Sequence, residues 1–181
     1  ETATDLEGYL RGLEMRLVWR RFDAVGLPRI VQLINKSNQF NLTTKRYTEE
    51  DVRAVMDDRR AFGLQLRLLD RFGDNGVIAI VIGRLDEAGA AEIDTWLMSC
   101  RVLGRQVEPT TLNLVAAQAQ ALGARTLVGR YLPTKKNGMV KDHYAKLGFT
   151  VTATAPDGAS RAELDLAAFT PIPTFIHVTE G

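Results

Sequence analysis

The chain has 181 residues, with 23 Lys and Arg against 22 Asp and Glu, for a formal net charge of +1. That length suits one domain with a proper core, and 45% hydrophobic with 25% charged residues excludes a disordered chain. No apolar run approaches the roughly 18 residues of a membrane helix, the small net charge points to no nucleic-acid partner, and the acidic opening from Glu1 to Glu7 is no basic-then-apolar leader, so a cytoplasmic protein is expected. The lone cysteine, Cys100, excludes an internal disulfide framework, and His143 and His177 lie too far apart for a zinc cluster, so no metal is expected.

Apolar residues at Leu6, Tyr9, Leu10 and Leu13 have helical spacing, weakened by Gly8 and Gly12, and predict a connector helix over 1–14 ahead of a domain spanning 15–181. Residues 15–22 read as a strand. Leu27-Pro28 then opens an amphipathic helix with Ile30, Val31, Leu33 and Ile34 on one face. The amide-rich run from Asn35 to Asn41 competes with helix through local backbone bonds and predicts a loop. Thr48-Glu49-Glu50-Asp51 is an N-cap with acidic residues in the first turn, so a second helix runs to about Asp58.

Two strands over 63–72 and 77–85 flank Gly73-Asp74-Asn75-Gly76, a hairpin-type turn, and the second is apolar throughout, as a central strand is. A link over 86–91 leads to a strand over 92–101, and a helix starts at Glu108-Pro109 and runs to Gly123. Strands at 126–131, 149–154 and 161–166 follow, with a helix over 139–147 after the first of them, closed by Gly148. The Pro-rich tail from Pro171 reads as a surface segment. The order is β-α-α-β-β-β-α-β-α-β-β, an α/β (α+β) domain with a central mixed sheet.

One junction has the makings of an anion site. The predicted strand over 92–101 runs into Arg101, Val102, Leu103, Gly104, Arg105 and Gln106 and then straight into a helix. The first N–H groups of a helix are unpaired and carry partial positive charge, glycine admits close approach, and two arginines add forked donors. A plain strand-to-helix turn with a tolerated glycine is the other reading.

A second constellation bears on that junction. Asn137 precedes a helix, Tyr144 follows seven residues later, and Lys146-Leu147-Gly148-Phe149 closes the run. This resembles the GNAT (N-acetyltransferase-like) superfamily, whose fold follows the same element order. The resemblance implies a loop of the form Arg/Gln-x-x-Gly-x-Gly/Ala that seats the pyrophosphate of an acyl thioester. Here the loop is Arg101-x-x-Gly104-x-Gln106, with Gln106 in place of a small residue. The resemblance also implies that Asn137 bonds the pantetheine arm and that Tyr144 gives a proton to the departing thiolate, a role a phenol of pKa near ~10 can fill. The alternative for Tyr144 is a packing aromatic, and His143, its neighbour on a helix, is expected at the surface.

Further stretches carry a narrower likeness: Leu27-Pro28-Arg29-Ile30, the run from Gln32 to Tyr47, Asp94-Thr95-Trp96-Leu97-Met98-Ser99-Cys100-Arg101-Val102-Leu103-Gly104-Arg105, and Leu147-Gly148-Phe149. They are similar to the C-terminal half of FkbH-like proteins, which load glyceryl units for polyketide assembly. The resemblance implies coenzyme A or carrier-bound phosphopantetheine as the thioester, an acyl carrier protein as partner, and a haloacid-dehalogenase-like domain that this chain does not carry. Two rival readings stand beside it: a non-catalytic carrier-binding module, and a stand-alone small-molecule N-acetyltransferase.

Asn35, Asn38, Gln39 and Asn41 either line a pocket for a hydroxylated substrate or satisfy their own loop backbone. On a strand of period two, residues 92, 94, 96, 98 and 100 share a face, which places Asp94 and Cys100 over one cleft. Asp94 or Glu92 is then a candidate base, as the GNAT resemblance implies for a carboxylate on this strand, and Cys100 is either an acyl-carrying thiolate or a small buried hydrophobe.

Overall fold

In the computed structural model, which describes residues 3–181, helix α1 (Ala3–Gly12) leads into strand β1 (Arg16–Arg21). Leu10 and Leu13 bury against the core at its end. Helix α2 (Leu27–Lys36) carries Pro28 in its first turn and buries Leu27, Ile30 and Ile34, a stripe of one face. Helix α3 (Glu49–Asp57) starts on a capping box: Thr48 Oγ1 accepts from Asp51 N–H at 3.1 Å and the Asp51 carboxylate accepts from Thr48 N–H at 2.9 Å.

Strands β2 (Ala61–Asp70) and β3 (Gly73–Leu85) form a hairpin whose turn is Arg71-Phe72. The turn falls earlier than glycine and asparagine content suggests, because Asp70 accepts from Phe72 N–H at 2.8 Å and Asn75 is drawn back to the Leu68 carbonyl at 3.2 Å. Strand β4 (Ala90–Met98) begins two residues earlier and ends three earlier than expected, since Cys100–Val102 winds into a short 3-10 turn capped by Ser99. Helix α4 (Val107–Ala121) and strand β5 (Thr126–Tyr131) follow. The helix expected over 139–147 is broken into a 3-10 turn, Gly138–Val140, and a single helical turn, α5 (His143–Lys146). Strands β6 (Thr150–Thr154), β7 (Ser160–Asp165) and β8 (His177–Glu180) complete the chain.

All eight strands lie in one sheet of order β6-β7-β5-β4-β3-β2-β1-β8, with β4 parallel to β5 and β1 parallel to β8. The predicted β-α-α-β-β-β-α-β-α-β-β order is present in full, preceded by α1 and followed by β8. Strand β8 escaped the sequence reading because all four of its residues are exposed. It is held by its ladder to β1, a force that leaves no apolar pattern.

Alternate residues of β3 feed two cores. Ala79 and Val81 join the larger one with Trp96, Val102, Leu112 and Leu127, while Ile80 and Ile82 join the other with Ile30, Ile34, Val52 and Leu97. The sheet is therefore covered on both faces, and its middle strands read as continuous apolar runs.

Candidate active site

The sheet opens at β4. Its pairing with β3 shifts register between Ile82 and Gly83, which oppose Thr95 and Ile93, so Asp94 is the extra residue of a bulge. Alternation changes phase there: Ala91 and Ile93, then Trp96 and Met98, face the larger core, and Leu97 faces the other. The face predicted to run unbroken from 92 to 100 does not exist, and Cys100 lies beyond the strand. Pairing of β4 with β5 covers only Ala90 to Ile93 against Thr126 to Gly129.

Past the bulge, the freed edge of β4 is taken by the chain itself. Leu42 N–H donates to the Trp96 carbonyl and Met98 N–H to the Phe40 carbonyl, both at 3.1 Å, and Thr43 Oγ1 donates to the Asp94 carbonyl at 2.9 Å. On the other side Leu132 N–H donates to the Leu42 carbonyl at 2.9 Å. Residues 40–43 thus wedge the splay between β4 and the end of β5.

Asn137 locks this wedge. It is fully buried; its Nδ2 donates to the Asn41 carbonyl at 3.0 Å and the Leu132 carbonyl at 2.9 Å, and its Oδ1 accepts from Thr134 N–H at 2.8 Å. The side chain expected to meet a pantetheine arm is engaged by its own backbone on every side.

Tyr144 lies in the same interior. Its ring covers Gly129 of β5, where a Cβ would come within 2.7 Å of ring atoms, and its hydroxyl has no protein partner among the described residues. Burial, reinforced by the charge of Glu92, pushes its pKa far up, so the phenol keeps its proton. His143 is buried rather than at the surface. Its ring sits edge-on to Trp96 at 4.3 Å and to Phe40 at 5.2 Å, and 5.1 Å from the Tyr144 ring. Helix α5 is too short and too deeply set for adjacent residues to divide between core and solvent. Burial, with a smaller contribution from the charge of Lys146, pushes the His143 pKa down to about 3.

Asp94 faces the α2 and α3 side. Lys45 Nζ donates to its carboxylate at 2.6 Å, Tyr47 donates through its hydroxyl, and Arg84 donates to that same hydroxyl at 3.3 Å. Burial pushes the Asp94 pKa up, but the bonds from Lys45 and Tyr47 and the charges of Lys45 and Arg84 outweigh it, and the carboxyl is held below its usual range. An ionised, doubly bonded carboxylate is a poor proton acceptor. Tyr47 and Arg84 were not singled out from sequence, since no periodicity brings Tyr47, beside a helix cap, and Arg84, on β3, to the β4 bulge.

The amide-rich loop is largely self-satisfied. Asn35 pairs with both the N–H and carbonyl of Tyr47 at 3.2 and 2.7 Å, Asn41 bonds the Ser37 carbonyl and Thr44 N–H at 3.1 and 2.9 Å, and Arg46 clamps Asn38 and the Ile34 carbonyl. Gln39 remains outside, its Oε1 3.6 Å from the exposed Cys100 thiol.

The loop into α4 is open. Val102 is a fully buried anchor and Leu103 packs on the core. Gly104 and Gln106 both take left-handed backbone, φ 77° and 68°. Arg105 is tied to Asp70 at 3.0 Å, and the Gln106 amide oxygen accepts from Phe175 N–H at 2.7 Å, so this departure from a small residue pins the C-terminal tail. Gln106, the N-cap of α4, makes no side-chain bond to the first helical turn, and exposed Arg101 stands in the 3-10 turn just before the loop. No group of three His, Cys, Asp or Glu that could hold a metal occurs among the described residues.

The architecture is that of GNAT acetyltransferases. The GNAT domain of S. lividans PAT is 21% identical, with a TM-score of 0.62 over 81% of this chain and 89% of that one. Spermidine N-acetyltransferase from Vibrio cholerae, solved with CoA and spermine, is 14% identical with a TM-score of 0.63 over 84% and 96% of the two chains. Aminoglycoside acetyltransferase AAC(6')-Ib, solved with coenzyme A, is 17% identical with a TM-score of 0.58 over 82% and 94%. No protein-family model and no curated protein matches the chain.

Proposed function

We propose that the chain carries out acyl transfer from a pantetheine thioester, supplied by coenzyme A or by carrier-bound phosphopantetheine. The observation that carries this reading is the loop from β4 to α4. Left-handed backbone at Gly104 and Gln106 leads into a helix start that no side chain caps, just after exposed Arg101, and this makes an anion seat of the kind a diphosphate fills. Two of the solved structures that share the fold hold coenzyme A. The pantetheine arm has no comparable fit while residues 40–43 occupy the edge of β4.

A bound thioester supplies an activated acyl carbon. The chain supplies Tyr144, which holds a proton on its hydroxyl throughout the physiological range. Asp94 stays ionised and fixes Lys45 and Tyr47, so it orients the loop behind the bulge rather than accepting protons. The likeness to FkbH-like proteins extends the reading to glyceryl or acyl loading in polyketide assembly, with an acyl carrier protein and a haloacid-dehalogenase-like domain as partners.

A second reading, a non-catalytic carrier-binding module, is favoured by the engagement of Asn137 and the burial of Tyr144. Acetyl and glyceryl thioesters of pantetheine, coenzyme A and a carrier protein, incubated with the chain while free thiol is followed, separate the two. The first reading expects thiol release that Tyr144→Phe abolishes at undiminished binding. That variant keeps the fold, because the lost hydroxyl has no protein partner. Binding without release assigns the module, and absence of both rejects either reading.

A further inference from the structure

We infer that the basin between the end of α2, the start of β3 and the end of β4 is a binding site for a small organic anion. The basin measures about 530 Å³. Arg29, Lys36, Arg101 and Lys136 line it, and no carboxylate does. In a chain whose net charge is only +1, this concentration of one sign is local.

The four cations are also uncompensated. Elsewhere Lys45, Arg67, Arg84, Arg105, Arg130 and Arg161 each pair with a carboxylate. Among the described residues none of the basin's four does. Arg29 donates to Gln32 Oε1 at 2.5 Å, and Arg101 donates to Ser99 Oγ at 3.2 Å and to the Asn75 carbonyl at 3.3 Å, all neutral acceptors.

Half-buried Leu33 stands at the basin's wall, and the buried Phe40, Ile78, Leu97 and Met98 back it with low-dielectric protein. A cleft of one charge sign over low-dielectric walls focuses its potential outward. The ligand that fits is a small molecule bearing a phosphate or carboxylate. A polycation would be repelled. Within the acyl-transfer reading, on which this one assignment rests, the anion is the acyl acceptor, since Arg101 belongs to both the basin and the thioester loop.

Cys100, the sole cysteine, is exposed in the basin and reports on it directly. Its alkylation by anionic iodoacetate, relative to neutral iodoacetamide, is expected to be favoured about fivefold over the ratio for the urea-unfolded chain, and the preference should fall with salt. The triple variant Arg29→Gln/Lys36→Gln/Lys136→Gln should lose that preference. Phenyl phosphate or benzoate should protect the thiol from iodoacetamide, and whichever protects at lower concentration identifies the anionic group. Benzylamine should not protect. A ratio equal to that of the unfolded chain, or equal protection by benzylamine, overturns the inference. Calorimetry with coenzyme A on the same triple variant places the site: unchanged affinity with protection lost supports a separate anion site, whereas a parallel fall assigns the cations to the thioester seat and overturns it. Failure of coenzyme A to bind wild type counts against the acyl-transfer reading, while the anion site stands on alkylation and protection.

Discussion

The aromatic interior and the open loop beside it use the same kinds of residue in opposite ways. Around Tyr144, polar groups are either engaged by neighbouring backbone, as in Asn137, or buried without a protein partner, as at Trp96 Nε1, His143 Nε2 and the Tyr144 hydroxyl. Around Arg101 and the basin, charges are exposed and the start of α4 carries no side-chain cap. The lesson is that a motif residue's chemistry follows from what already occupies its bonds. Asn137 has the composition of a ligand-binding group and the position of a clamp.

If that contrast holds, substitutions in the interior cost stability and those at the loop cost binding. The largest effect is expected for Asn137→Ala, which strands the Asn41 and Leu132 carbonyls and Thr134 N–H in the interior. A loss of about 3 kcal/mol in urea unfolding is expected, and a loss below about 0.5 kcal/mol would show that the residue is not a clamp. Gly129→Ala places a methyl within 2.7 Å of the Tyr144 ring. Overpacking of this kind should cost about 2 kcal/mol, read by the same unfolding experiment.

His143 gives the interior a pH signature. Its folded pKa of about 3 lies below the ordinary 6.5, so the unfolded chain takes up a proton that the folded chain does not. The stability contribution is complete above the ordinary value and is lost as pH falls from there toward the folded value. The slope approaches about 1.4 kcal/mol per pH unit. Unfolding midpoints across that window, compared with His143→Phe, check it; equal slopes would place the acid sensitivity elsewhere.

Arg101→Gln sharpens the other side of the contrast. It should weaken coenzyme A binding about fivefold in calorimetry, as loss of one charge-assisted contact does, with stability changed by less than about 0.5 kcal/mol. A stability loss at unchanged affinity would reverse the assignment of the two regions.

Much of the architecture was legible because its signals are local. The Thr48-Asp51 capping box, the stripe of Leu27, Ile30 and Ile34 and the apolar run of β3 each announce an element within one or two turns of chain. The loop into α4 was legible as a strand-to-helix junction for the same reason, since a strand, a glycine and a helix start are adjacent in sequence. The rest of the site was not. Asp94 and Cys100 were placed on one face by a period of two, which the bulge at Asp94 and the 3-10 turn at Cys100 both interrupt. His143 and Tyr144 were divided between surface and core by a rule for continuous helices that a single turn does not obey.

By itself the sequence determined the element order, the helix starts, the apolar strands and the loop before α4, because propensity, capping and periodicity act between near neighbours. Only the tertiary structure decided what those elements expose. Contacts such as that of Asn137 with Asn41, 96 residues apart, and of Thr43 with Asp94, 51 apart, draw residues 40–43 into the splay between β4 and β5. The physical reason is that a buried carbonyl or amide must find a partner wherever the fold brings one. That requirement turned Asn137, a motif residue, into a clamp.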